Sequence, residues 1–403
     1  MINKGSVMNC FFGKRGNITM TIVGTLSAIA LFLLVGNNIA EKRVNELNEI
    51  ENEVVYTTTT RQPEVELVDK VALPDVIYTS IQEPLVIRFM NIIGCNSLEN
   101  YSVEVNTDGK GKLYDDRWEY TPQTTETFSL SFTVTDPEGE KVNESSHTIV
   151  VRKPNQKKNF AVLVIGDSTI AGGYETKRML DLANESGKKF TLLGTKTTSY
   201  VNDENNRHEG RSGWKAITYI EKAGSSNSGD VNAFFNPETE TFDYSYYMRT
   251  QGYTSVDCVC LQLGINDVFG ASSDEQLYSD SYINKYFKNM DKIIESIHAY
   301  DSNIKIVWNL ILPGSVEQEK FELAYKDKQT AERYKRNTYL TNLEIIKHVS
   351  EMKNVYVAPT NASLNTVENM YMGGNGAVHP ARKGYFEVGA LLYSYILAID
   401  TIE

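Results

Sequence analysis

Four apolar runs constrain this chain more than any other feature. Ala161 to Ile165 is continuous, and similar runs recur at Val256 to Leu263, Ile304 to Leu310 and Val355 to Ala358. An unbroken apolar run is what a strand needs when helices cover both faces of a parallel sheet. The segments between them have helical spacing. Ile283, Tyr286, Phe287, Met290, Ile293, Ile294 and Ile297 recur at intervals of three and four, as do Tyr339, Leu343, Ile346 and Val349. Strands alternating with amphipathic helices predict an α/β domain over residues 157–400. In such a sheet the carboxyl ends of the strands carry the site.

Polar residues gather at those strand ends. The first run leads into Gly166-Asp167-Ser168, where glycine permits a sharp turn and a following helix would aim backbone N–H groups at developing negative charge. By itself this tripeptide is also a good turn and helix cap. The second run ends Leu263-Gly264-Ile265-Asn266-Asp267, which puts an amide donor at a neighbouring strand end; the plain alternative is an Asn-Asp cap on the next helix. Glu209-Gly210-Arg211-Ser212-Gly213-Trp214 offers a flexible backbone with a free N–H at Gly213. Last comes Asn375-Gly376-Ala377-Val378-His379-Pro380, just before a carboxy-terminal helix. Proline restricts that loop, which suits an imidazole held against a hydroxyl. Of the five histidines only His208 competes, and it adjoins the glycine loop instead.

These four blocks, in this order, resemble the SGNH (GDSL-type) hydrolases over about the last 240 residues. The resemblance implies a three-layer, flavodoxin-like domain with a parallel sheet. It implies Ser168 as nucleophile and His379 as general base. The oxyanion hole would comprise the N–H groups of Ser168 and Gly213 and the side chain of Asn266. Asp167 and Asp267 match motif positions that shape the loops and are not catalytic, Trp214 and Gly264 match positions that shape the site, and Gly166 supports the motif. The reaction implied is ester hydrolysis through an acyl-enzyme, without a cofactor or metal. There is one departure: the family usually has Asp three residues before the histidine, and Gly376 stands there. Loss of an orienting acid from a full triad costs about 10⁴ in rate. The expectation is a Ser168–His379 dyad oriented by a main-chain carbonyl near Gly376, with a carboxylate from elsewhere, such as Glu209, as the alternative.

The amino-terminal part reads separately. Residues 18–36 carry no charge, enough at about 1.5 Å per residue to cross most of a ~30 Å hydrocarbon layer. Lys4, Lys14 and Arg15 precede them, which predicts a cytoplasmic tail at 1–17, a signal anchor at 18–36 and export of the rest; a cleaved signal peptide is the alternative. Residues 37–73 read as a stalk. Period-two alternation between 74 and 152, as in Phe128, Leu130, Phe132 and Val134, predicts a small β-sandwich that resembles the immunoglobulin-like modules of exported enzymes, its partner unassigned.

A net charge of −12 argues against nucleic-acid phosphates as partners, and four scattered cysteines make no disulfide framework. Export, an anchor and a β module favour an acylated glycan as substrate and a polysaccharide deacetylase as the activity. Tyr244, Tyr246 and Tyr247 are candidate sugar-stacking faces, with ordinary packing as the plainer reading. A lipid or thioester hydrolase is a second reading. A catalytically degenerate glycan-binding or cell-surface assembly protein is a third.

Overall fold

The computed structural model describes residues 70–402 except 157, 199 and 222–230. Among the described residues no helix is long and apolar enough to cross a membrane, and the apolar run at 18–36 lies outside them. So does most of the expected stalk. Its last residues do not form one: Val71, Ala72 and Leu73 are buried, and the Ala72 N–H donates to the Ile92 carbonyl.

The α/β part is built on six parallel strands: β1 (Phe160–Gly166), β2 (Phe190–Leu193), β3 (Glu209–Gly210), β4 (Cys258–Gln262), β5 (Lys305–Asn309) and β6 (Val355–Ala358). Their order is β3-β1-β4-β5-β6, with β2 paired to the first half of β1 and β3 to its last two residues. The side chains of β1 explain its unbroken apolar run. Ala161, Leu163 and Ile165 face one core, together with Tyr219, Tyr247 and residues of the helix Ile283–Tyr300. Phe160, Val162 and Val164 face another, with Met179, Leu180 and Ala183 and the carboxy-terminal helix Arg382–Ile399. Alternate residues thus enter opposite layers, and every position must be apolar. Cys258 and Cys260 are core residues of the second layer.

Residues 76–152 form a four-stranded and a three-stranded sheet. In the first, Val76–Ser80 runs parallel to Lys141–Arg152, while the other pairs are antiparallel. Leu85, Ile87, Trp118, Leu130 and Phe132 share one core there with Ala362 and Leu391 of the α/β part. Polar contacts add to that packing. The Ser80 N–H donates to Ser394 Oγ at 2.9 Å, and Asn91 Nδ2 donates to the carbonyls of Asn361 and Leu364 at 2.9 and 2.8 Å. The first of these bonds ties the β part to the carboxy-terminal helix Arg382–Ile399, and the other two tie it to the segment that follows β6.

Candidate active site

The register of the sheet brings the strand ends together. Gly166 of β1 lies opposite Gly210 of β3 on one side and Gln262 of β4 on the other. Close approach is what these glycines permit. A Cβ on Gly166 would lie 2.5 Å from Ile170 Cγ1 and 2.9 Å from the Gln262 carbonyl oxygen, and one on Gly210 would lie 2.5 Å from the Ala171 nitrogen. Asp167, buried, caps the short helix Ser168–Ala171 by accepting from the Thr169 N–H at 2.9 Å and its hydroxyl at 2.8 Å. Ser168, the first residue of that helix, is only partly buried.

His379 reaches this serine from the far end of the chain. Its Nε2 lies 2.8 Å from Ser168 Oγ, and its Nδ1 lies 3.0 Å from the Asn375 carbonyl oxygen. A carbonyl only accepts, so Nδ1 carries the proton and Nε2 is left to accept from the serine hydroxyl. The orienting carbonyl therefore belongs to Asn375 and not to Gly376. The turn Gly374–Ala377 places it there, where it also accepts the His379 N–H at 3.1 Å. Gly376 has another use. A Cβ at that position would lie 1.8 Å from the Tyr371 carbonyl oxygen, so the loop closes only over a residue without a side chain.

Glu209 is not the missing acid. Fully buried, it pairs with Arg211 at 2.6 Å and accepts from the Thr195 N–H and the Tyr247 hydroxyl, so its oxygens are engaged away from the imidazole. His208 is buried too, and its Nδ1 accepts from the Gly210 N–H. Tyr244 and Tyr247 are fully buried and offer no face to a sugar. Phe234 stacks on Tyr247 at 4.1 Å, so these tyrosines are packing residues.

The expected oxyanion donors sit around the same strand ends. Gly213, exposed and at φ +76, and Ser168 have amide groups with no acceptor among the described residues. Asn266 Nδ2 donates one hydrogen to the Trp214 carbonyl at 2.9 Å, which leaves its second free. Asp267 fixes the intervening loop, since both its oxygens accept from the Ala216 N–H at 3.1 and 3.3 Å. Gly264, at φ +131, would carry a Cβ 2.5 Å from Ile311 Cδ1. Replacing Asn266 with alanine is expected to lower kcat on an aryl acetate about 10²- to 10³-fold with KM little changed. Steady-state kinetics checks this, and a loss below threefold would remove Asn266 from the site.

A layer of buried polar groups below Ser168 escaped sequence reasoning. Gln262 Nε2 donates to Thr169 Oγ1 at 3.0 Å and to Glu175 Oε2 at 2.9 Å, while its Oε1 accepts from Asn309 at 2.7 Å. The available signal was a glutamine inside the apolar run Leu261-Gln262-Leu263. Burial pushes the carboxyl groups up: Asp167 to about 6, Asp267 to about 7 and Glu175 to about 8. A carboxyl raised on folding binds its proton more tightly in the native state. Its contribution to stability is complete below the unfolded value and lost as pH rises through the folded one. For Glu175 that window runs from about 4.5 to about 8. Chemical unfolding across it should show stability falling as pH rises, and Glu175→Gln should remove much of that slope. An unchanged slope would mean that Glu175 is not the titrating group.

The family model of the GDSL-like lipases/acylhydrolases matches residues 162–392, more than half of the chain, a span that includes Ser168, Gly213, Asn266 and His379. The chain belongs to this family. As a GDSL-like acylhydrolase it is a serine ester hydrolase of the SGNH fold. None of the curated proteins matches its sequence. Similar solved structures include a family 3 carbohydrate esterase of Clostridium thermocellum, 16% identical over 60% of this chain and 98% of that one, with a TM-score of 0.37. A lipase from a goat rumen metagenome is 14% identical over 59% and 98%, with a TM-score of 0.36. A family 2 carbohydrate esterase of Corynascus thermopiles with its carbohydrate binding domain is 14% identical over 80% and 92%, with a TM-score of 0.34. At these TM-scores none of them bears on the substrate of this acylhydrolase.

Proposed function

We propose that this acylhydrolase uses Ser168 as nucleophile and His379 as base, and that it removes acetyl groups from an extracellular polysaccharide. The observation that carries the catalytic reading is the pair of contacts on one imidazole, 2.8 Å to Ser168 Oγ and 3.0 Å to the Asn375 carbonyl. His379 Nε2 takes the hydroxyl proton as Oγ bonds to the ester carbon. The carbonyl oxygen becomes an oxyanion facing the amides of Ser168 and Gly213 and the free Asn266 hydrogen. When the intermediate collapses, the carbon–oxygen bond to the alcohol breaks and His379 returns the proton to the departing oxygen. Water then attacks the acyl carbon and gives a proton to Nε2; as the bond from that carbon to Oγ breaks, Nε2 passes the proton to Oγ, so that Ser168 is restored as a hydroxyl and the acid is released.

The dyad lacks a full negative charge behind the imidazole, and this sets its working range. Burial holds His379 below the ordinary histidine value, and the bond to Asn375 offsets only part of that. The base is thus neutral and ready at neutral pH. Because the neutral form is the active one, activity is lost as pH falls through the lowered value.

The substrate reading rests on location. The charge-free run at 18–36 with lysine and arginine before it supports export, which puts the site among surface glycans. Acetate release from O-acetylated polysaccharides, compared with hydrolysis of 4-nitrophenyl acetate and octanoate by the full-length protein, tests it. Faster turnover of acetylated glycan and aryl acetate than of octanoate is expected. A preference for the octanoate would replace the glycan reading with a lipid one.

A further inference from the structure

Three tyrosines from separate parts of the chain form one stack, two of them on the segments that follow Ser168 and His379. Tyr385 stands six residues after His379 and is buried; Tyr174 stands six residues after Ser168. Their ring centroids are 5.8 Å apart with planes 22° from parallel. Tyr200 continues the stack, 6.4 Å from Tyr174 and 19° from parallel, and it is 74% exposed. The stack begins in the core between the two catalytic segments and ends in a flat ring open to solvent.

The loop that carries Tyr200 is tied down at its base. Lys196 and His208 exchange backbone hydrogen bonds at 3.1 Å, which closes it. Asn206 Nδ2 donates to the Gly173 carbonyl at 2.8 Å. Gly173, at φ +67, is required there, because a Cβ would lie 2.6 Å from Thr198 Cγ2 and 2.8 Å from Asn206 Nδ2. A single exposed tyrosine on a surface is ordinary. One held parallel to two others, on a loop fastened to the segment right after the nucleophile, is a built platform.

We propose that Tyr200 is a sugar-stacking subsite, where the flat C–H face of a pyranose next to the acylated residue packs on the exposed ring. The proposal rests on the glycan reading above and names a place for that substrate. The surroundings favour a sugar over an acyl chain. After Val201 come Asn202, Asp203, Glu204 and Asn205, polar groups at the surface suited to hydroxyls, whereas an acyl chain needs a continuous apolar cleft.

The test is kinetic, with full-length parent, Tyr200→Ala and Tyr200→Phe. The substrates are O-acetylated xylan, mannan and peptidoglycan oligosaccharides, with 4-nitrophenyl acetate and octanoate alongside. For the oligosaccharide that the parent hydrolyses best, Tyr200→Ala should raise KM about five- to tenfold with kcat unchanged, and Tyr200→Phe should stay within about twofold of the parent. Both variants should match the parent on aryl acetate. An unchanged KM for the oligosaccharide in Tyr200→Ala overturns the subsite, and so does a loss confined to the octanoate, which would make the ring an acyl platform. If the parent cleaves aryl acetate but no acetylated oligosaccharide, the subsite falls together with the glycan reading, while the serine chemistry stands.

Discussion

Replacing His379 with alanine is expected to lower kcat on 4-nitrophenyl acetate by about 10⁴-fold or more, with KM nearly unchanged. Its Nε2 is the group placed to accept the Ser168 proton, at 2.8 Å. The matching experiment concerns the orienter. In a triad, spoiling the acid costs about 10⁴. Here the Nδ1 partner is the Asn375 main-chain carbonyl, which a side-chain change does not remove. Asn375→Ala should therefore keep kcat within about threefold of the parent. A loss near 10⁴ in that variant would mean that its side chain, and not its carbonyl, serves the imidazole. The pH profile carries a second sign. With His379 held below the ordinary value of about 6.5, the acid limb of kcat/KM should fall below that pH.

Restoring the usual acid by Gly376→Asp is expected to damage the enzyme. The new Cβ would sit 1.8 Å from a backbone oxygen, that of Tyr371, which cannot swing aside as a side chain tip can. Relief requires the loop to open, at the expense of the 2.7 Å bond from the Gly376 N–H to the Gly373 carbonyl or the 3.0 Å bond from the Tyr371 N–H to the His379 carbonyl. The second of these holds His379 itself. Overpacking of this kind costs about 1–3 kcal/mol in stability. A displacement near 1 Å at the imidazole costs about 10² in rate. Gly376→Ala should behave alike, because the first side-chain carbon causes the clash. Thermal unfolding and steady-state kinetics read both effects. A Gly376→Asp protein faster than the parent would show that the loop accepts a triad acid.

How much of this was legible in the sequence follows from which forces act locally. The strand Phe160–Gly166 was readable because burial on two faces forces an apolar residue at every position. Ser168 and His379 were readable because each follows a strand or loop signature, and the structure brings them within hydrogen-bond distance. The Asn375 carbonyl was not, since any residue supplies a carbonyl and only the turn Gly374–Ala377 aims this one. Reading Gly376 as a lost acid was half of the matter; the approach of Tyr371 that demands a glycine is a tertiary contact. The same holds for Glu209, whose engagement with Arg211 and Tyr247 depends on packing. Tyr244 and Tyr247 lie on a polar-looking helix, yet face inward. Tyr200, in a loop without periodicity, gave no sign that it ends a stack.

The most direct test of the central claim is labelling of the full-length protein by a fluorophosphonate probe, with Ser168→Ala and His379→Ala beside it and the labelled peptide identified by mass spectrometry. Rapid labelling of Ser168 in the parent, none in Ser168→Ala and a rate lower by orders of magnitude in His379→Ala is the predicted result. A parent that labels no faster than His379→Ala would contradict it, because an imidazole oriented by a carbonyl alone would then not be activating the serine.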